Sequence, residues 1–289
     1  MLAGPWPLSA EVGGAQARKV PASLTDDPVR QALSAPWFRR HPRALMVLAV
    51  VISLGLVWGV KLVGEYRGIE RAKDFWSMPQ GEPGGLLYVA LGDSTAQGIG
   101  ASRPERGYVG LLAERLRQQS HRPVRVVNLS VTGAKVGDVL RTQIPALRRL
   151  KPDVVTVAIG ANDVRSFNSA DFAHRIQLLT AQLPAGTFIA DIPWFMSGAW
   201  ERHAVQAGQE IERDSAAHGL TLVPLHEAMS TRGWSSMLSD FAPDWFHPND
   251  RGYVVWADAF WAAMSKPGSL ITSPQRWLPT GGGRGGHVR

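Results

Sequence analysis

The sequence predicts an α/β fold: a three-layer α/β/α sandwich around a parallel sheet, preceded by one transmembrane helix. Two observations carry the sandwich and the helix. Between Leu86 and Met264, five short apolar runs alternate with helical patterns, which implies a parallel sheet covered on both faces. Ahead of them, Ala44 to Val60 runs without a charge, close to the roughly 20 apolar residues that a bilayer core needs.

In chain order, residues 1–43 are rich in Ala, Pro, Gly and Ser without a sustained period, and are expected to be a cytoplasmic mobile tail. Residues 44–64 are the expected anchor, with Lys61 reaching its ammonium to the interface. A buried core helix would rarely lack a polar face for so long. A cleaved signal peptide needs a small-x-small site, and "GVKLVGEYR" offers none. The cluster "RRHPR" precedes the apolar run, so the N-terminus is expected in the cytoplasm and the rest outside, in a single-pass arrangement at the cytoplasmic membrane. Residues 65–85 hold a short polar helix, "EYRGIERAKDFW", then a Pro/Gly linker.

The globular domain is expected over 86–264. Its strands are "LLYVAL", "VRVVNL", "VVTVAI", "TFIADI" and "LTLVPL". Between them lie helical patterns such as "YVGLLAERLRQQ" and "VGDVLRTQIPALRRL". A last helix, from about Asp250, places Tyr253, Ala257, Phe260, Trp261 and Met264 on one stripe, a core-facing spacing. Residues 265–289 end in "GGGRGGHVR" and read as a flexible tail.

Composition narrows the function. With 45% hydrophobic and 19% charged residues the chain is not disordered as a whole. The net charge of +7 comes from scattered basic residues rather than a stripe with interleaved aromatics, so no nucleic-acid partner is expected. There is no cysteine, which removes disulfides, thiolate zinc sites and a cysteine nucleophile. No His-Glu-x-x-His or carboxylate cluster suggests a metal, and no cofactor is expected.

The loops after strands converge at one edge of such a sheet, and four segments there are unusual. One carries Gly92-Asp93-Ser94, one reads "VTGAKVGD" with Gly133, one is "GAND" with Asn162, and one is "APDWFHPND" with Asp244 three residues before His247. Each alone suits a turn, a cap or a surface pair. Together they supply one reaction. A serine hydroxyl needs a base, an imidazole serves near neutral pH, and a carboxylate orients the imidazole. The tetrahedral intermediate needs preorganised donors, for which the backbone N–H groups of Ser94 and Gly133 and the amide of Asn162 are candidates.

These four blocks resemble those of the SGNH hydrolases, the superfamily of GDSL esterases and lipases. The resemblance covers about 86–264 and implies a flavodoxin-like sandwich. It implies Ser94, Asp244 and His247 as the triad, and Ser94, Gly133 and Asn162 as the oxyanion hole. Thr95 stands where the GDSL name has leucine, which bears on the subfamily more than on the chemistry. The α/β-hydrolase elbow Gly-x-Ser-x-Gly fails at Ala96, and the dinucleotide fingerprint fails at Arg103. The sequon at Asn128 lies at a strand end and reads as structural; His174, His203 and His226 sit in helices or loops without a partner pattern and read as surface or packing residues.

The function expected is a membrane-anchored serine esterase that hydrolyses acyl esters through an acyl-enzyme. Its partners would be the bilayer and an acyl ester substrate: lysophospholipid or other lipid esters first, O-acetylated carbohydrate second. An acyltransferase would use the same acyl-enzyme with an alcohol acceptor. A non-catalytic binding module would lack a triad or oxyanion residue, and none is missing.

Overall fold

The computed structural model describes residues 41–266. The expected tails, 1–43 and 265–289, lie almost wholly outside the described residues. The chain divides into two units, Met1–Trp58 and Gly59–Arg289.

Helix α1, Pro42–Trp76, contains a stretch, Pro42–Val60, long and apolar enough to cross a membrane, and none of its residues is buried. Within the second unit the helix continues to Trp76 and joins the core. Ala72 and Trp76 are buried, with Ile69 and Phe75 packed beside them, and the Trp76 indole N–H donates to Gln97 O at 3.1 Å. Gln80 then pairs with Val126 as an isolated antiparallel bridge. The segment expected as a linker before residue 86 thus carries part of the core. Its apolar side chains were too sparse to register as a stripe in sequence.

The five strands are β1 (Leu86–Gly92), β2 (Val124–Asn128), β3 (Val154–Ala158), β4 (Phe188–Ala190) and β5 (Thr221–Val223), in the order β2-β1-β3-β4-β5. All neighbours are parallel. This is the flavodoxin-like doubly wound order. The pleat sends alternate residues to opposite faces. Leu86, Tyr88 and Ala90 of β1, with Val154 and Ala158 of β3, enter one core. Val89 and Leu91, with Val155 and Val157, enter the other.

The first core is closed by helix α2 (Tyr108–Ser120) and, in the last part of the fold, by α9 (Asp250–Met264). Between them in sequence come α3 (Val136–Asp138) and α4 (Ile144–Leu147), joined by a π-turn at Val139–Gln143. One continuous helix was expected there; Pro145 lacks the N–H that regular pairing requires, and the wider turn precedes it. Helices α5 (Ser169–Thr180) and α6 (Gly198–Ala217) follow. They cover the second core with Phe172, Ile176 and Leu179, and with Ala204, Ala207 and Ile211. Two short helices that the periodicity missed, α7 (Leu225–Ser230) and α8 (Ser236–Asp240), precede α9. On α9, Tyr253, Ala257, Phe260 and Met264 are buried as expected, while Trp261 is half-buried and Trp256 takes the deeper place.

Candidate active site

The order of strands puts the site where it can form. The chain leaves β1 toward β2 on one side and returns to β3 on the other. The carboxyl ends of β1 and β3 therefore open a crevice, the usual ligand position in open α/β sheets. Ser94 follows β1, and Asn162 follows β3.

Ser94 is 4% exposed. Beneath it, Gln143 on the π-turn holds the end of β1. Its amide accepts from Gly92 N at 2.9 Å and donates to Gly92 O at 2.8 Å. Asp93 is buried, and its Oδ1 accepts from Thr95 N at 2.9 Å and Thr95 Oγ1 at 2.8 Å. Burial pushes the Asp93 carboxyl up, against these hydrogen bonds. The Thr95 that departs from the leucine of the family motif thus satisfies the neighbouring acid.

His247 and Asp244 come from the loop before α9. Asp244 Oδ1 accepts from Phe246 N at 2.9 Å and His247 N at 3.0 Å, closing a tight turn. Trp245 in that turn takes φ 59°, a left-handed value unusual for a bulky residue. The turn brings Asp244 Oδ2 to 2.6 Å from His247 Nδ1, and His247 Nε2 lies 2.8 Å from Ser94 Oγ. Burial opposes ionisation of Asp244, but the bonds from His247 and from the two backbone N–H groups outweigh it and hold its carboxyl below the ordinary value. An ionised Asp244 only accepts, so Nδ1 carries the hydrogen and Nε2 is left as the acceptor for the Ser94 hydroxyl.

Two residues outside the sequence expectation fix this loop. Asn249 caps α9 through Arg251 N and Gly252 N, and its amide donates to Ser239 O and Phe241 O. Its signal in sequence is an Asn just before a helix. Gly100 lies against the loop: a Cβ there would meet Pro248 O at 2.4 Å and His247 Cβ at 2.8 Å.

Gly133 sits at φ 78°, and a Cβ there would meet nothing within 4 Å. Neither its N–H nor that of Ser94 donates to an acceptor among the described residues. The loop is tied to the Ser94 segment by Gln97, which bonds Ser130 O at 3.0 Å and the Thr132 hydroxyl. Asn128 is equally committed, donating to Ala96 O at 2.7 Å and accepting from Ser130 N at 3.1 Å. Asn162 donates through Nδ2 to Ala134 O at 3.0 Å and to Asp93 Oδ2 at 3.3 Å. The second bond is near the length limit, so that N–H is the one free to turn to a stronger acceptor.

All five residues singled out in sequence therefore meet at one edge of the sheet. His226, which shows no partner pattern in sequence, has a partner in the fold. Its Nε2 lies 2.8 Å from Glu201 Oε1, while Glu201 Oε2 accepts from Phe195 N at 2.8 Å and Asp191 Oδ1 accepts from His226 N at 2.8 Å. Glu201 on α6 and His226 on α7 are 25 positions apart, and Asp191 and His226 are 35 apart, so these groups meet only in the folded chain. They hold Phe195, whose ring lies 6.3 Å from Phe246, itself edge-on to His247 at 5.0 Å. His203 bonds Val164 O and stacks on Phe167. Among the described residues no cluster of three or more His, Cys, Asp or Glu suits a metal ion.

A model of the GDSL-like Lipase/Acylhydrolase family matches residues 90–255. A GDSL-like esterase of Mycobacterium tuberculosis is 26% identical over 191 residues, 61% of this chain. The matched stretch spans 60% of that esterase's length. Among solved structures, the α/β hydrolase LAE5 from the metagenome of Lake Arreo is 25% identical with a TM-score of 0.53, covering 62% of this chain and 94% of that one. The acetylxylan esterase Axe2 of Geobacillus stearothermophilus, 20% identical with a TM-score of 0.52, covers 68% and 97% and shares the fold.

Proposed function

We propose that this chain, which belongs to the GDSL-like lipase/acylhydrolase family, is a serine ester hydrolase in which Ser94, His247 and Asp244 hydrolyse carboxylic esters through an acyl-enzyme at an outward-facing, membrane-anchored domain. The observation that carries the assignment is the unbroken chain of hydrogen bonds from Asp244 through His247 to Ser94.

Ser94 Oγ attacks the ester carbonyl while its proton passes to His247 Nε2. Asp244 supports the imidazolium without taking the proton. The carbonyl oxygen, now an anion, is met by the N–H groups of Ser94 and Gly133 and by the Asn162 amide. Collapse breaks the bond to the alkoxide, which takes the proton from Nε2 and leaves as alcohol. Water then enters, gives its proton to Nε2, attacks the acyl carbon and releases the acid, and Ser94 recovers its proton. A fluorophosphonate probe should label the protein and spare Ser94→Ala; equal labelling of both would remove Ser94 from the role of nucleophile.

The apolar stretch Pro42–Val60 supports a single-pass anchor, and the "RRHPR" cluster before it supports an N-terminus in the cytoplasm. A tether at the bilayer favours lipid esters such as lysophospholipids. A second reading, removal of acetyl groups from carbohydrate as in the acetylxylan esterase named above, has the exposed rings of Trp200 and Trp245 in its favour, since aromatic faces suit sugar rings. p-Nitrophenyl esters of rising chain length, with the full chain in detergent, separate the two. Turnover confined to acetate favours carbohydrate, and a preference for long chains favours lipid.

A further inference from the structure

Arg165 stands in the short 3-10 turn Val164–Ser166, three residues beyond Asn162. Its guanidinium carbon lies 5.3 Å from the ring centre of Trp200 and 5.9 Å from that of Phe246. Phe195 closes the cage, 6.0 Å from Trp200 and 6.3 Å from Phe246. Phe246 in turn abuts the His247 ring. The side chain is exposed, yet it lies against two aromatic rings, one of which, Phe246, separates it from the imidazole.

What the guanidinium lacks is a counter-charge. Arg115, Arg117, Arg141, Arg175, Arg213 and Arg232 each pair with a carboxylate. Among the described residues Arg165 makes no ion pair and no hydrogen bond. The carboxylates near it in the fold are engaged elsewhere. Asp163 accepts from Val136 N, Glu201 from Phe195 N and His226, and Asp244 from His247 and its own turn. Contact with ring faces leaves the N–H edge of a guanidinium free, and that edge matches two oxygens of a carboxylate or phosphate. The cage also restricts the side chain in advance, which lowers the entropy lost on binding.

We propose that Arg165 selects substrates for this site, favouring esters that carry a carboxylate or phosphate in the part lying against Phe246 and Trp200. This rests on the esterase reading above and deepens it by naming the charge of the substrate. A positive charge one aromatic ring away from His247 adds binding energy only for substrates whose anionic group reaches it, and that contribution falls with salt because the side chain is open to solvent.

The test uses the full chain in detergent and a matched pair of esters, 4-acetoxybenzoate and its neutral amide, 4-acetoxybenzamide. The readout is the ratio of their kcat/KM values, in which intrinsic reactivity cancels between variants. Arg165→Met keeps a stem of similar length against the rings and removes the charge; the ratio is expected to fall about tenfold, or 1.4 kcal/mol. Arg165→Lys should keep part of it, and raising salt should lower the ratio in the parent protein but not in Arg165→Met. The same comparison with lysophosphatidylglycerol against monoacylglycerol, and with an O-acetylated sugar acid against its neutral sugar, identifies the source of the anion. An unchanged ratio in Arg165→Met overturns the proposal, as does an equal loss on both members of the pair, which would mean that Arg165 only props Phe246. Turnover of the neutral ester that survives Ser94→Ala would instead refute the esterase assignment, so the two failures are distinct.

Discussion

Replacing Asn162 by alanine separates two jobs open to one carboxamide. In the resting structure it donates to Ala134 O at 3.0 Å and, more weakly, to Asp93 Oδ2 at 3.3 Å. If holding these loops together is its whole role, the loss is that of one ordinary hydrogen bond and one long one, about 1–2 kcal/mol. That lowers the melting temperature by roughly 2–8 °C in a domain of this size and leaves the rate of the folded protein intact. If its weakly held N–H turns to the oxyanion, a second and larger effect is added. The charge exists only in the transition state, so kcat should fall about 10²–10³-fold, roughly 3–4 kcal/mol, with KM little changed. The assay is a melting curve and a full kcat and KM determination on one preparation. A destabilised but fully active Asn162→Ala protein would refute the oxyanion role and weaken the four-block reading with it.

His247→Ala should be nearly as damaging as Ser94→Ala, whereas Asp244→Asn should retain some activity even if the loss reaches ~10⁴ in kcat; a fully active His247→Ala protein would exclude it as the base. Burial raises the Asp163 carboxyl to about 6, so the folded state binds more protons than the unfolded one between roughly pH 4 and 6, and stability from this group falls as pH rises through that window. Asp163→Asn keeps an acceptor for Val136 N and removes the charge, so its melting temperature should gain on the parent protein across that range; a constant difference would count against the raised value. Gln143→Met leaves the Gly92 N–H without its side-chain partner, and should cost about 1–3 kcal/mol in denaturant unfolding; an unchanged midpoint would show the strand end to be held by other bonds. Gly100→Ala forces a Cβ to 2.4 Å from Pro248 O. It should displace the His247 loop and lower kcat in an ester assay, and unaltered kinetics would mean that the loop yields freely.

The linear chain by itself determined the sheet, the apolar helix and the residues of the candidate site. The strands were legible because each is a short apolar run bounded by turn residues, and the alternation of runs with helices leaves little room for any but a parallel sheet. Asp244 and His247 were legible as a pair because one turn of backbone brings them together, and the Gly-Asp-Ser, Gly133 and "GAND" segments because each ends or follows a strand. What the chain could not decide is anything resting on contacts between distant segments. Ser94 and His247 are separated by 153 positions, and their 2.8 Å approach follows from the packing of α9 and from Gly100 yielding space to the loop. Gln143 looks like any polar helix residue until the π-turn points it under Gly92. His226 looks unpartnered until the fold brings Glu201 on α6 to it. Arg165 is one arginine among many in sequence; only the meeting of Trp200 and Phe246 around it makes it a fixed charge. Local pattern reports what a segment becomes, because periodicity and turn chemistry act over a few residues. The partner of a side chain is chosen by the fold, since burying both faces of the sheet sets which loops share its edge.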